Sequence, residues 1–471
     1  MSIFDFDDSE GGLGGLFDGN KPLSDKDLRE LLEAAESGTL SSDALEEIVE
    51  SYIEQGDYIP ALQILNVLIE MVPFNSEALE RRGIVYNNLG QYRNALEDFE
   101  KAELLNPTDV DLLINKGVAL DNLGRLDEAI DYYARAVDLD PLSEEARFNL
   151  AVALMKADKV EQAVDLFRAI LDANPEHKDA WFEFAYCHDL LDHFHEAIRA
   201  YDRYIELSPY SATAWYHRGL VYNRLGAHRK AIESYDMVLA IDEGFAAAWF
   251  NRGNSYASLN WIPEAIECYT KVIALNPEDV DGHFNLAAAY EDIGKYHEAI
   301  EQYEQVLALK PDHVGALMGR GSCWDAVDQF DLALEDYSRA LSINERNPEV
   351  WYAKADTEYN LGLLSSALDS YAMVTRLDPS NDEAWMDYGE TLLECEQYVP
   401  AREALQKVIA LRPGWADPYY VLAKVLFIQD HREEAMEALA ICFALDPRMR
   451  ERFETEFPGV KGLREFMELF Q

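Results

Sequence analysis

Positive charge is what this chain has least of. Its 471 residues include 40 Lys and Arg against 89 Asp and Glu, a net charge of -49. A field of that sign repels phosphate backbones and anionic lipid, so no nucleic-acid partner and no membrane insertion are expected. It suits a basic or apolar polypeptide partner, and it also keeps a long apolar-cored array in solution. Cysteine is scarce as well. Cys187, Cys268, Cys323, Cys395 and Cys442 are odd in number and far apart, with no CxxC. That argues against a disulfide framework and a zinc knuckle, and for a reducing compartment. No apolar run is long enough to span a bilayer. The opening MSIFDFDDSE has neither a basic nor an apolar leader region, so the expected location is cytoplasmic. No GxSxG, phosphate-binding Gly loop or HExxH occurs, so no catalytic residue, cofactor or enzyme activity is expected.

What the chain has instead is a period. Prolines near the ends of apolar helical segments stand at 73, 107, 141, 175, 209, 277, 311, 379, 413 and 447, always 34 or 68 apart, with Glu243 and Glu345 at the two skipped positions. Twelve residues before each of these positions stands an alanine, from Ala61 through Ala435, in all twelve units. Twelve further upstream is a small residue in every unit but the first, which has Val49. Two small columns per repeat let antiparallel helices approach closely while larger neighbours interlock. The large neighbours are columns too: Trp181, Trp215, Trp249, Trp351 and Trp385 in the first helix, and Phe99, Tyr133, Phe167, Tyr201 and the tyrosines through Tyr371 in the second. The turn between the two helices holds Gly, Asn or Asp, residues that tolerate a left-handed backbone, in every unit except the one with Glu396.

The segments FNLAAAYEDIGKYHEAIEQYEQVLALKPD from Phe284 and WYHRGLVYNRLGAHRKAIESYDMVLAIDE from Trp215 resemble tetratricopeptide repeats. The pattern alone predicts an all-α solenoid of antiparallel helix pairs. The resemblance implies a right-handed superhelix whose first helices line a concave groove for extended or helical segments of other proteins. The expected organisation is an acidic disordered tail over 1–23, a capping helix over 24–41, twelve repeats over 42–449 and a helical cap over 450–471.

The resemblance places the residue after the Trp column in the groove. That column reads Ile114, Phe148, Phe182, Tyr216, Phe250, Phe284, Met318, Tyr352, Met386 and Tyr420. Beside it run Asn115, Asn149, Asn251 and Asn285, with Asn254 one turn on. Amides hold an extended backbone through paired donors and acceptors. The candidate partner-binding residues are therefore Asn115, Phe148, Asn149, Phe182, Tyr216, Phe250, Asn251, Asn254, Phe284, Asn285 and Tyr352. The expected function is a scaffold or adaptor, with a substrate-recruiting subunit of a separately encoded enzyme as the alternative.

Other clusters have a folding explanation. His188, His193 and His195 lie close in sequence, but His188 fills a packing column, so no metal site is expected. The acids near the start of each first helix complement the helix dipole. Arg82, Lys116, Arg218, Arg252, Arg320 and Lys354 are expected to pack their stems between helices and reach carboxylates with their heads.

Overall fold

A computed structural model describes residues 29, 30, 33, 34, 37 and 41–456. The expected tail, most of the 24–41 segment and residues 457–471 lie outside the described residues; Arg29, Glu30, Glu33 and Ala34 are helical. From Ser42 onward every described element is an α-helix, and the period fixes each boundary. First helices run from Ser42–Gln55 and Ser76–Asn88 to Ala416–Ile428. Second helices run from Tyr58–Met71 and Tyr92–Leu105 to Arg432–Leu445. A further helix, Arg448–Glu456, follows the twelfth pair.

The starts and stops are chemical. Asn75, Asp109, Ser143, Ser211 and Asn381, each just before a first helix, accept a hydrogen bond from the backbone amide three residues on. The turn residue has positive φ in all twelve repeats. Six are glycines and six are not, and Glu396 adopts φ 59 like the rest. The helix on either side leaves it no other route, so a residue with poor left-handed propensity is carried by its neighbours. The proline position does more than end a helix. Its carbonyl accepts the indole N–H of the Trp column, as Pro175 does from Trp181 at 2.9 Å and Pro209 from Trp215 at 2.8 Å. The loop is thereby pinned to the helix that follows it.

The alanine column is fully buried in every repeat. Opposite the other small column sits the second-helix aromatic. A Cβ on Gly83 would stand 2.3 Å from Cε1 of Phe99, and one on Gly321 2.6 Å from Cε1 of Tyr337. Interhelical cations complete the packing. Arg82 clasps buried Asp98 through Nε at 2.6 Å and Nη2 at 2.8 Å, and Arg320 holds Asp336 in the same way at 2.8 and 2.6 Å. Lys116, Arg218 and Lys354 reach Glu103, Asp202 and Glu358. The Nε of Arg252 meets Cys268 Sγ at 3.3 Å, and its guanidinium covers Trp249.

The chain forms two compact units, Met1–Ile241 and Asp242–Gln471. The first holds repeats 1–6 and the second repeats 7–12. Within each, a second helix packs on its own first helix and on the next repeat's first helix. First helices of successive repeats also touch: those of repeats 2–6 in the first unit, and those of repeats 8–10 and 11–12 in the second. The first helices thus form one continuous face within each of these stretches. Among the described residues, no helix is long and apolar enough to cross a membrane.

Candidate functional site

The aromatics expected in the groove lie on the first-helix side and are half-buried from repeat 4 to repeat 10. Ile114, Met386 and Tyr420, in the same column, are buried instead. Tyr420 is covered by Phe453 of the terminal helix, ring to ring at 6.1 Å. Much of the remaining ring surface packs against aromatic rings of the same repeat. Phe148 stacks on His177 at 5.5 Å and meets Phe167 edge-on. Phe182 is flanked by Tyr201, Tyr204 and His217. Tyr216 leans on Tyr235, Phe250 on Tyr269, and Phe284 on Tyr303 and His313. Tyr352 packs on Tyr371 and donates its hydroxyl to Asp387.

The asparagines are largely occupied as well. Asn115 donates to Glu80 at 3.2 Å. Asn251 donates to the Ala247 carbonyl of its own helix at 2.9 Å. Asn254 accepts from the Tyr269 hydroxyl at 2.8 Å and from the Asn285 amide at 3.2 Å. Among the described residues Asn149 makes no side-chain hydrogen bond. The amides therefore form a broken ladder, most of whose rungs serve the repeats themselves.

A different set of side chains runs along the same face in repeats 8–11. Glu291 receives the Tyr303 hydroxyl at 2.9 Å and the Ser322 hydroxyl at 2.8 Å. Asp325 receives Tyr337 and Thr357, both at 2.8 Å. Asp356 receives Tyr371 at 2.6 Å, and Glu394 receives Tyr359 at 2.6 Å. With Asp387 and its Tyr352 contact, five carboxylates are oriented by neutral hydroxyl donors. Among the described residues none of the five forms an ion pair. Asp356, Asp387 and Glu390 share an open cavity of about 250 Å³ with Tyr359, Asn360, Tyr371 and Thr391.

Electrostatics reflects this crowding. Burial, offset in part by the Tyr371 hydrogen bond and aided by Asp387 and Asp325, pushes the Asp356 carboxyl up to about 6. Burial, with Glu383, raises Asp387; burial, with Asp387, raises Glu390. Burial also raises Asp325. The first-unit acids at the repeat position of Glu291 and Asp325 are neutralised: Lys156 takes Asp121 at 2.6 Å, and Arg224 takes Asp189 at 2.6 Å.

The remaining candidates are structural. His188 packs edge-on against Phe184 at 4.5 Å and faces His193, and among the described residues no three metal-ligating side chains converge. Burial pushes the Cys187 and Cys323 thiols up to about 12, far from the reactive thiolate range.

Models of the tetratricopeptide repeat match residues 80–144, 122–183, 190–244, 280–313, 324–382 and 352–418, and a TPR repeat model matches 253–294. No curated protein matches the chain. Among solved structures, MamA is 25% identical over 36% of this chain and 94% of its own, with a TM-score of 0.35. YrrB, titled a TPR protein with an unusual peptide-binding site, is 25% identical over 39% and 94%, with a TM-score of 0.35. The Cut9–Hcn1 hetero-tetramer structure of APC/C is 15% identical over 89% and 96%, with a TM-score of 0.38.

Proposed function

Because the chain belongs to the tetratricopeptide repeat family, we propose that it is a scaffold that holds a basic segment of a partner protein on the first-helix face of repeats 8–11. The observation that carries this reading is the run of hydroxyl-anchored carboxylates at Glu291, Asp325, Asp356, Asp387 and Glu394. Four of the five, all but the exposed Glu394, are half-buried, and half-buried carboxylates that repel one another cost free energy in the unbound chain. A Lys or Arg side chain entering among them removes that cost and meets acceptors already oriented. The gain is largest where water is partly excluded, as in the cavity of Asp356, Asp387 and Glu390. Beside it, half-buried Tyr352, bonded to Asp387 and packed on Tyr371, offers apolar contact to the stems of such side chains.

A fluorescent peptide of alternating Lys and Ala tests the reading on the full chain. The triple variant Asp356→Asn, Asp387→Asn, Glu390→Gln should weaken binding at least tenfold at physiological salt, and flatten its salt dependence. A control triple on exposed second-helix acids, Glu264→Gln, Glu267→Gln, Glu301→Gln, removes the same formal charge elsewhere. Equal weakening by both triples would show that only the overall charge of the chain matters, and would sink the site.

A further inference from the structure

Repeat 5 contains a buried hydroxyl that repeats 6–10 do not leave idle. Tyr201 is fully buried and among the described residues its hydroxyl has no hydrogen-bond partner. The tyrosines at the same position of repeats 6–10 each have one. Tyr337 donates to Asp325 at 2.8 Å, and Tyr303 to Glu291 at 2.9 Å, each twelve residues back on the first helix. Tyr371 donates to Asp356 and Tyr269 to Asn254, fifteen back, while Tyr235 accepts from Asn223, twelve back.

Twelve residues before Tyr201 stands Asp189, the residue type that serves Tyr337 in repeat 9. It does not reach Tyr201. Arg224, on the first helix of repeat 6 (Ala212–Arg224), holds it through Nη1, at 2.6 Å to Oδ1 and 3.1 Å to the Asp189 carbonyl. The same guanidinium engages Asp192 and lies over Phe194 at 4.9 Å. Repeat 3 follows the same rule. Lys156, one repeat on and at the position of Arg224, takes Asp121 at 2.6 Å, and Asp121 makes no hydrogen bond to Tyr133. For repeat 9 that position, in repeat 10, holds Asn360, and Asp325 turns inward to Tyr337. A cation thirteen residues into the next repeat therefore decides where the aspartate points.

We propose that Asp189 is a two-position carboxylate and that Arg224 is the latch that selects between its positions. In one position it ties the first helices of repeats 5 and 6 together and strands the Tyr201 hydroxyl. In the other it accepts that hydroxyl and releases the tie. The exchange swaps a contact between repeats for one within a repeat, so the junction of repeats 5 and 6 has an alternative state. Side-chain rotation alone connects the two, because the backbone register of Asp325 and Tyr337 already shows the inward geometry.

Hydrogen exchange on the full chain reads the latch. In the parent, Tyr201→Phe removes a hydroxyl that bonds nothing, so protection of Lys178–Leu190 and Phe194–Leu207 should stay level or rise. In an Arg224→Gln background the same substitution should speed exchange there about fivefold, since it now deletes a hydrogen bond to a carboxylate. Tyr337→Phe in the parent should speed exchange in repeat 9 by a comparable factor. If Tyr201→Phe has the same effect with and without Arg224, whether zero or fivefold, the proposal fails. A crystal structure of Arg224→Gln gives an independent reading: the Asp189 carboxylate within hydrogen-bond distance of Tyr201 Oη supports the latch, and an unmoved carboxylate overturns it.

Discussion

Glu80 is a place where the charge of this chain works against its own fold. It lies half-buried on the first helix of repeat 2, with Asn115 donating to Oε1 at 3.2 Å. Burial first, then Asp109, Asp111 and Glu77, push its carboxyl from the ordinary 4.5 to about 7 despite that hydrogen bond. A folded-state value above the unfolded one means that the folded chain holds an extra proton between the two. The associated stability is complete below pH 4.5 and is lost as pH rises through 7. Full burial would make the loss roughly 3 kcal/mol. Part of the side chain meets water, so screening reduces it to about 1–2 kcal/mol. Glu80→Gln keeps the shape and the acceptor for Asn115 but cannot ionise. Melting curves of parent and variant between pH 4 and 8 should coincide at the acid end. They should separate through neutrality, with the variant more stable by about 1–2 kcal/mol at pH 8. A difference that does not change with pH, or no difference at pH 8, would refute the assignment of the cost to the Glu80 charge.

Two further outcomes follow from the packing. Gly321→Ala places a Cβ 2.6 Å from the Tyr337 ring, and should cost about 1–3 kcal/mol in chemical denaturation, with Tyr337→Leu recovering part of it. Arg320→Met leaves the almost fully buried Asp336 carboxylate without its bidentate partner, and should cost about 3–5 kcal/mol; adding Asp336→Leu should return most of that, because the isolated charge and not the missing cation is the penalty.

The fold was legible because one period controls every level of it. The columns of Ala61 to Ala435 and of small residues at Gly83 and its equivalents specify where two helices touch, and burial finds them there. The prolines were legible as helix terminators, yet their second role, holding the indoles of the Trp column through a carbonyl, leaves no mark in the proline itself. Glu396 shows the limit of residue-by-residue turn rules. Its own preference opposes a left-handed backbone, but thirteen helical residues before it and fourteen after it outvote one torsion. The interhelical cations were read correctly in kind; the Nε of Arg252 meets Cys268, which stands where Asp98 and Asp336 meet Arg82 and Arg320.

The candidate site was harder, and for a reason that the charge itself creates. In a chain with 89 acids, a carboxylate on a helix face carries no information alone, so attention goes to rarer amides and aromatics. Those turn out to serve the repeats: Asn115 binds Glu80, and Asn254 binds Tyr269 and Asn285. The distinguishing signal is relational. An acid at Asp121 or Asp189 is followed, 35 residues on, by Lys156 or Arg224. An acid at Glu291 or Asp325 is followed at the same interval by Ala326 or Asn360, and is held by tyrosine, serine or threonine instead. The same repeat position therefore carries a neutralised acid in the first unit and an unneutralised one in the second. Comparing a column with its neighbour one repeat away, and not with itself, separates an acid paired with a cation of the next repeat from one held only by hydroxyls.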